Sequence, residues 1–166
     1  MNKQKTSCCK YLRMKNLTTT TLRKFSGLMF FLKRSKNDFE MVADEIENYT
    51  LKSALNGLSE ESSFYASELN NFLKHLGVNP SSINENNFSD HYLNEDMKEE
   101  ESLEKGLELQ SLCSYNEKYL TKAYSDLLEE SLPCKSLQEI ISYQLHAIKI
   151  SFLKIQTLNT ARFAMY

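Results

Sequence analysis

Glycine and proline are scarce, with four Gly and two Pro in 166 residues. An all-β domain of this size needs turn residues at nearly every strand boundary, so sandwiches and barrels are excluded. Long apolar runs are missing too. The longest, Gly27–Leu32, falls far short of the ~20 residues that a membrane-spanning helix requires. No cysteine stands in a CxxC pair or at a metal-ligand spacing from a histidine, and Cys8 and Cys9 are adjacent. Cys8, Cys9, Cys113 and Cys134 are therefore expected to form no disulfide framework, and a reducing cytoplasm is the expected location. The N-terminus carries positive charge but no apolar segment, so no secretory signal is expected. Acid is also absent at first: the chain carries ten of its 20 Lys and Arg up to Lys36, before its first carboxylate at Asp38.

What is present reads as helix. Hydrophobic residues make up 41% of the chain, enough for one packed core and too many for wholesale disorder. Residues 1–17 form a basic tail, and 18–166 form one domain. A first helix starts in the Thr18–Thr21 run and ends near Glu47, with Leu22, Phe25, Leu28, Leu32, Phe39, Ala43 and Ile46 at three–four spacing. A second runs from about Leu51 to Leu76 along Leu55, Leu58, Ser62, Tyr65, Leu69 and Phe72. Gly77 caps it and Pro80 bars its resumption. The polar stretch that follows holds at most a short helix near Ser89 and Asp90. A third helix spans about Glu100–Ser131 and is ended by Leu132-Pro133. Ser136-Leu137-Gln138-Glu139 then reads as a capping box opening a fourth helix to about Ala164. Four seams pack most economically as an all-α four-helix bundle. Short first and last links with a long middle one give two antiparallel hairpins joined by a long crossover between the second and third helices, which is ferritin-like connectivity.

A seam is normally apolar, so its polar members are informative. Glu117 falls between Cys113 and Leu120, Gln144 and Ser151 lie in line with Ile140 and Ile155, and Ser62 lies beside Glu61. A buried carboxylate must be hydrogen-bonded, protonated or metal-bound. The polar-core candidates are Glu117, Tyr124, Gln144 and Tyr65. A di-metal carboxylate bundle uses Glu-x-x-His on two helices, because positions i and i+3 share a face. Here Phe64 follows Glu61 by three and Leu120 follows Glu117 by three, and His75, His91 and His146 stand at no such offset. No metal is expected; were di-iron or manganese present, Glu61 and Glu117 would be its ligands. There is no phosphate-binding glycine loop and no recognisable nucleophile motif.

Several of these residues recur in one order. Phe39 and Val42-Ala43, then Glu60-Glu61, Glu68-Leu69 and Leu76-Gly77 resemble the first two helices of an uncharacterised bacterial ferritin-like family in the ferritin/rubrerythrin-like superfamily. His91 with Lys98, Asn116-Glu117 with Tyr124 and Leu132-Pro133, and Gln144 are similar to its later motifs, over residues 22–160. Ser62, Asn94 and Asn116 depart from its pattern. The resemblance implies the bundle and its Glu, Tyr and Gln positions; it implies no reaction. The expected function is therefore non-catalytic, through association with a second copy or another protein. The alternative is a metal-binding or redox protein with a depleted carboxylate site. The basic N-terminus (Lys3, Lys5, Lys10, Arg13, Lys15) suits an anionic surface or nucleic acid.

Overall fold

The computed structural model describes residues 17–79 and 105–164, the side chains of 105–108 excepted. Among these the protein is all-helical: α1 is Thr19–Glu45, α2 Tyr49–His75, α3 Lys105–Leu128 and α4 Lys135–Ala164. The basic tail 1–16, the turn-rich stretch 80–104 with His91, and the start expected for the third helix lie outside the described residues.

Local chemistry sets the ends. Thr18 caps α1, its side chain accepting from the Thr21 N–H at 3.1 Å, and Asn48 caps α2 by accepting from Leu51 at 3.0 Å. At the end of α2, Gly77 takes φ 81°. Its N–H reaches the Lys74 carbonyl at 3.0 Å, and the Val78 N–H reaches that of Leu73 at 3.0 Å. These are the paired bonds of a Schellman cap, which a left-handed glycine makes cheap. α4 begins at Lys135, one residue before the expected cap. Ser136 thus lies within the first turn rather than ahead of it, and the Cys134 carbonyl accepts from Gln138 at 3.4 Å.

Each helix packs against two others: α1 on α2 and α3, and α4 on α2 and α3. The cross-links run antiparallel in every pair. Ser62 meets Ser35 across α1/α2, while Lys24 and Asn116 tie opposite ends of α1 and α3 through Glu130 and Asp38. Glu61 and Glu68 meet Ser151 and Gln144 across α2/α4; Glu117 and Tyr124 meet Gln156 and Gln144 across α3/α4. Since α2 and α3 both oppose α1, they run parallel to each other.

Phe25, Leu28, Leu32 and Phe39 of α1, Leu55, Leu69 and Leu73 of α2, Leu120 and Leu127 of α3, and Ile141, Ile148 and Phe152 of α4 fill the interior. Phe39 and Phe152 reach across the diagonal with ring centroids 5.7 Å apart, edge to face. The seam of α4 departs from the expected one toward its end, at residues 151/152 and again at Asn159. Phe152 is fully buried, whereas Ser151, expected in line, stands half-buried on the α2 side. Cys134 is buried at 8% exposure. Cys113 is free and buried; burial first, then the Glu117 charge, pushes its thiol up to about 12, so it is an inert core residue.

Three of the early cations meet carboxylates among the described residues. Lys24 meets Glu130 and the Asp126 carbonyl, Arg34 meets Asp38 at 3.5 Å, and Lys36 meets Glu40 at 2.8 Å. The Lys24 hydrogen bond holds the Glu130 carboxyl below its ordinary value of 4.5, with a smaller contribution from Thr21, and Glu130 in turn raises Lys24. A depressed carboxyl contributes stability above its unfolded-state value and loses it as pH falls through the folded one. Glu130→Gln should therefore be less stable than wild type at neutral pH. The gap should close in denaturant melts taken progressively below pH 4.5. A deficit that is flat with pH would rule the charge pair out as its cause.

Two further substitutions read the packing. Leu69→Ala and Leu120→Ala, at positions 0% and 1% exposed, should each cost about 2–5 kcal/mol in urea unfolding. Gly57 lies mid-helix, and a Cβ there meets nothing within 4 Å. Gly57→Ala should stabilise by about 0.5–1 kcal/mol, the helical cost of glycine being removed with no clash.

Candidate functional site

The polar side chains on the inner faces of α2, α3 and α4 form the one constellation that sequence reasoning singled out. Tyr124 is 0% exposed, and its hydroxyl donates to Gln144 Oε1 at 2.9 Å. Gln144, also 0% exposed, donates from Nε2 to Glu68 Oε2 at 2.8 Å. Two turns away, Glu61 accepts from the Tyr65 hydroxyl at 2.7 Å and from Ser151 Oγ at 2.6 Å. Both carboxylates sit half-buried on the α2/α4 rim and are met by neutral donors. Burial is the main cause that drives the Tyr124 and Tyr65 hydroxyls far up from their ordinary value; Glu61 and Glu68 repel the phenolates further. Both phenols therefore stay protonated donors at neutral pH. The arrangement ties α2, α3 and α4 together through side-chain hydrogen bonds.

Of the four polar-core candidates, the structure joins Tyr124 to Gln144 directly and links Tyr65 to Glu61. Glu117 is elsewhere. It stands half-buried on the α3/α4 rim, accepting from Gln156 Nε2 at 2.7 Å, rather than interrupting the core. The buried polar residue of α3 is its neighbour Asn116, 2% exposed, which donates to Asp38 Oδ2 at 3.1 Å and to the Leu112 carbonyl at 3.0 Å. Residues 116 and 117 both lie three or four positions from Cys113 and Leu120, so spacing alone does not separate them. Asn159 on α4 is likewise buried, at 6% exposure, and its seam spacing from Ile155 was the available signal.

The donor set does not fit a di-metal carboxylate centre. Glu61 and Glu68 are seven residues apart on one helix, about 10.5 Å along the axis at 1.5 Å per residue. Glu61 turns to Ser151 and Glu117 to Gln156, on opposite flanks of α4. Among the described residues no three His, Cys, Asp or Glu group closely enough to hold a metal ion. His146 is exposed, and so is His75, whose Nδ1 lies 2.6 Å from the Asn71 carbonyl.

The Tyr124–Gln144 bond can be measured. Tyr124→Phe strands a buried amide oxygen and should cost about 1–3 kcal/mol, and Gln144→Leu, which strands the hydroxyl, a similar amount. Tyr124→Phe/Gln144→Leu should lose clearly less than the sum, since both ends then become apolar and Glu68 can turn to water. Strict additivity in urea unfolding would show that the two groups are not coupled.

No known protein family has a sequence profile that matches the chain, and no curated protein matches it.

Proposed function

We propose that this chain is a ferritin-like bundle of the bacterial kind, two antiparallel hairpins joined by a long α2–α3 crossover, that works by protein association rather than catalysis. The antiparallel pairing around the bundle supports the topology, because parallel α2 and α3 require the chain between them to return along the bundle's length. One observation carries the functional reading. Tyr124, Gln144, Glu68, Glu61, Tyr65 and Ser151 satisfy one another, while large apolar side chains stand uncovered outside: Phe64, Tyr143, Ile150 and Leu153 are 62, 66, 54 and 63% exposed. Single exposed apolar residues are ordinary, but several on neighbouring helices mark a contact surface.

No helix among the described residues is long and apolar enough to cross a membrane. The proposed contact of the basic tail with nucleic acid or an anionic surface rests on residues outside those described.

Metal analysis separates association from the metal or redox alternative. Protein purified without chelator, and protein incubated with Fe(II) or Mn(II) and desalted, should hold well under one metal per chain. Two metals per chain, lost in Glu61→Ala and in Glu117→Ala, would overturn the association reading.

A further inference from the structure

A cleft of about 220 Å³ opens between α1 and α3. Two small residues help make the space. Gly27 of α1 and Ala123 of α3 put at most a methyl group where packed helices ordinarily interlock through larger side chains. Phe31 and Tyr119 wall the far end, their rings stacked 5.5 Å apart and 14° from parallel. Arg23 and Lys24 line the end nearest the start of α1, and Lys122 and Asp126 line the α3 side. Charge sorting leaves one cation over. Lys24 meets Glu130, and Lys122 meets Asp126. Arg23 is exposed and forms no ion pair or hydrogen bond among the described residues. Phe31, Tyr119 and Lys122 have further contacts of their own, so recognition of charge is assigned to Arg23 alone. The positive end of the α1 dipole lies on the same side, and its first turn holds no acid.

We propose that this cleft binds a small organic anion built from one flat apolar ring and a carboxylate on a short arm. The ring occupies the space left by Gly27 and Ala123, against the stacked Phe31 and Tyr119. The carboxylate takes the Arg23 guanidinium, whose planar fork of donors matches its two oxygens. Arg23 stands about 6 Å before Gly27 along α1, at 1.5 Å per residue, so a one-carbon arm spans the gap together with the arginine side chain. Size narrows the class further. An apolar cavity of about 150 Å³ holds a benzene ring, so 220 Å³ admits a ring with a short arm. Drug-sized ligands need roughly 300 Å³ or more. A bare anion such as acetate or phosphate leaves the apolar walls uncovered, and a neutral ring leaves Arg23 unused. This binding stands apart from the association reading and does not depend on it.

Isothermal titration of the full chain with phenylacetate tests the site. Phenylacetamide is the probe without charge, and acetate the probe without a ring. Phenylacetate should saturate a single site per chain with a Kd of about 1 mM or tighter, and the other two should bind at least roughly tenfold more weakly. Arg23→Gln should weaken phenylacetate by roughly tenfold and leave phenylacetamide unchanged, since only the ion pair is lost. Ala123→Leu should fill the cleft and abolish binding with helix content unchanged. Lys149→Gln, on α4, should bind as the wild type does. Arg23 is exposed, so its replacement leaves the fold intact and keeps the test decisive even if Ala123→Leu unfolds. No saturation up to about 20 mM phenylacetate overturns the proposal, as does wild-type affinity in Arg23→Gln or in folded Ala123→Leu. Phenylacetamide or acetate binding as tightly as phenylacetate overturns it too, because the charge or the ring is then not what the cleft reads.

Discussion

The amide of Gln144 fixes how three helices can slide. It has no access to water, so its oxygen and its nitrogen must both find partners inside the protein. Tyr124 of α3 supplies one and Glu68 of α2 the other. Shifting α4 by one turn, about 5.4 Å, breaks both bonds at once and leaves a buried phenol and a buried amide unpaired. Apolar seams tolerate such slippage far better, since leucine on leucine is nearly as good one turn along. A single polar pair inside an oily bundle is well attested as a register device. Glu61 reinforces it by taking Ser151 of α4 in the same antiparallel direction. The network therefore fixes register, and its tyrosines, raised by burial, remain donors throughout the neutral range.

Helix positions and type were legible because the three–four pattern is long and the breakers are few. Thr18, Asn48 and Gly77 act at the ends that their chemistry suggests. What periodicity could not resolve were pairs of adjacent residues that both fit. Between Cys113 and Leu120, positions 116 and 117 divide the interval as three-and-four or four-and-three, and the same holds for 151 and 152 between Ile148 and Ile155. Geometry decides both cases by volume and charge. Phe152 fills the diagonal against Phe39, and the charged Glu117 moves to the rim, where Gln156 and water share its solvation. Asn116 can enter because Asp38, neutralised in part by Arg34 at 3.5 Å, waits on α1. That partner lies 78 residues away, and nothing local announces it.

The charge asymmetry of the sequence has a similar resolution. A basic first helix lying among acidic neighbours is attracted to them, and Lys24, Arg34 and Lys36 meet carboxylates of the same bundle, while the Arg34 guanidinium also lies 4.5 Å from the Tyr115 ring centroid. Exposed or half-exposed pairs of this kind contribute little each. Their effect is to choose neighbours: the start of α1 goes beside the end of α3, where Glu130 and Asp126 wait. Any pull toward nucleic acid or an anionic surface falls to the residues ahead of Thr18.

α4 is the helix that breaks the usual division of labour between faces. α1 and α2 expose isolated apolar side chains, Met41, Tyr49 and Phe64. α4 buries Leu137, Ile141, Gln144, Ile148, Phe152 and Ile155, and still presents Tyr143, Ile150 and Leu153 on the far side. Stability of the bundle does not require that second row, because side chains more than half exposed add little to the core. An isolated bundle gains only a solubility cost from them. The row also keeps the spacing of its inner counterpart over the same turns, so one rigid helix can be held from within by the Gln144 network and gripped from without along a parallel stripe. A surface fixed in this way is ordered in advance, so any association through it would lose little conformational entropy.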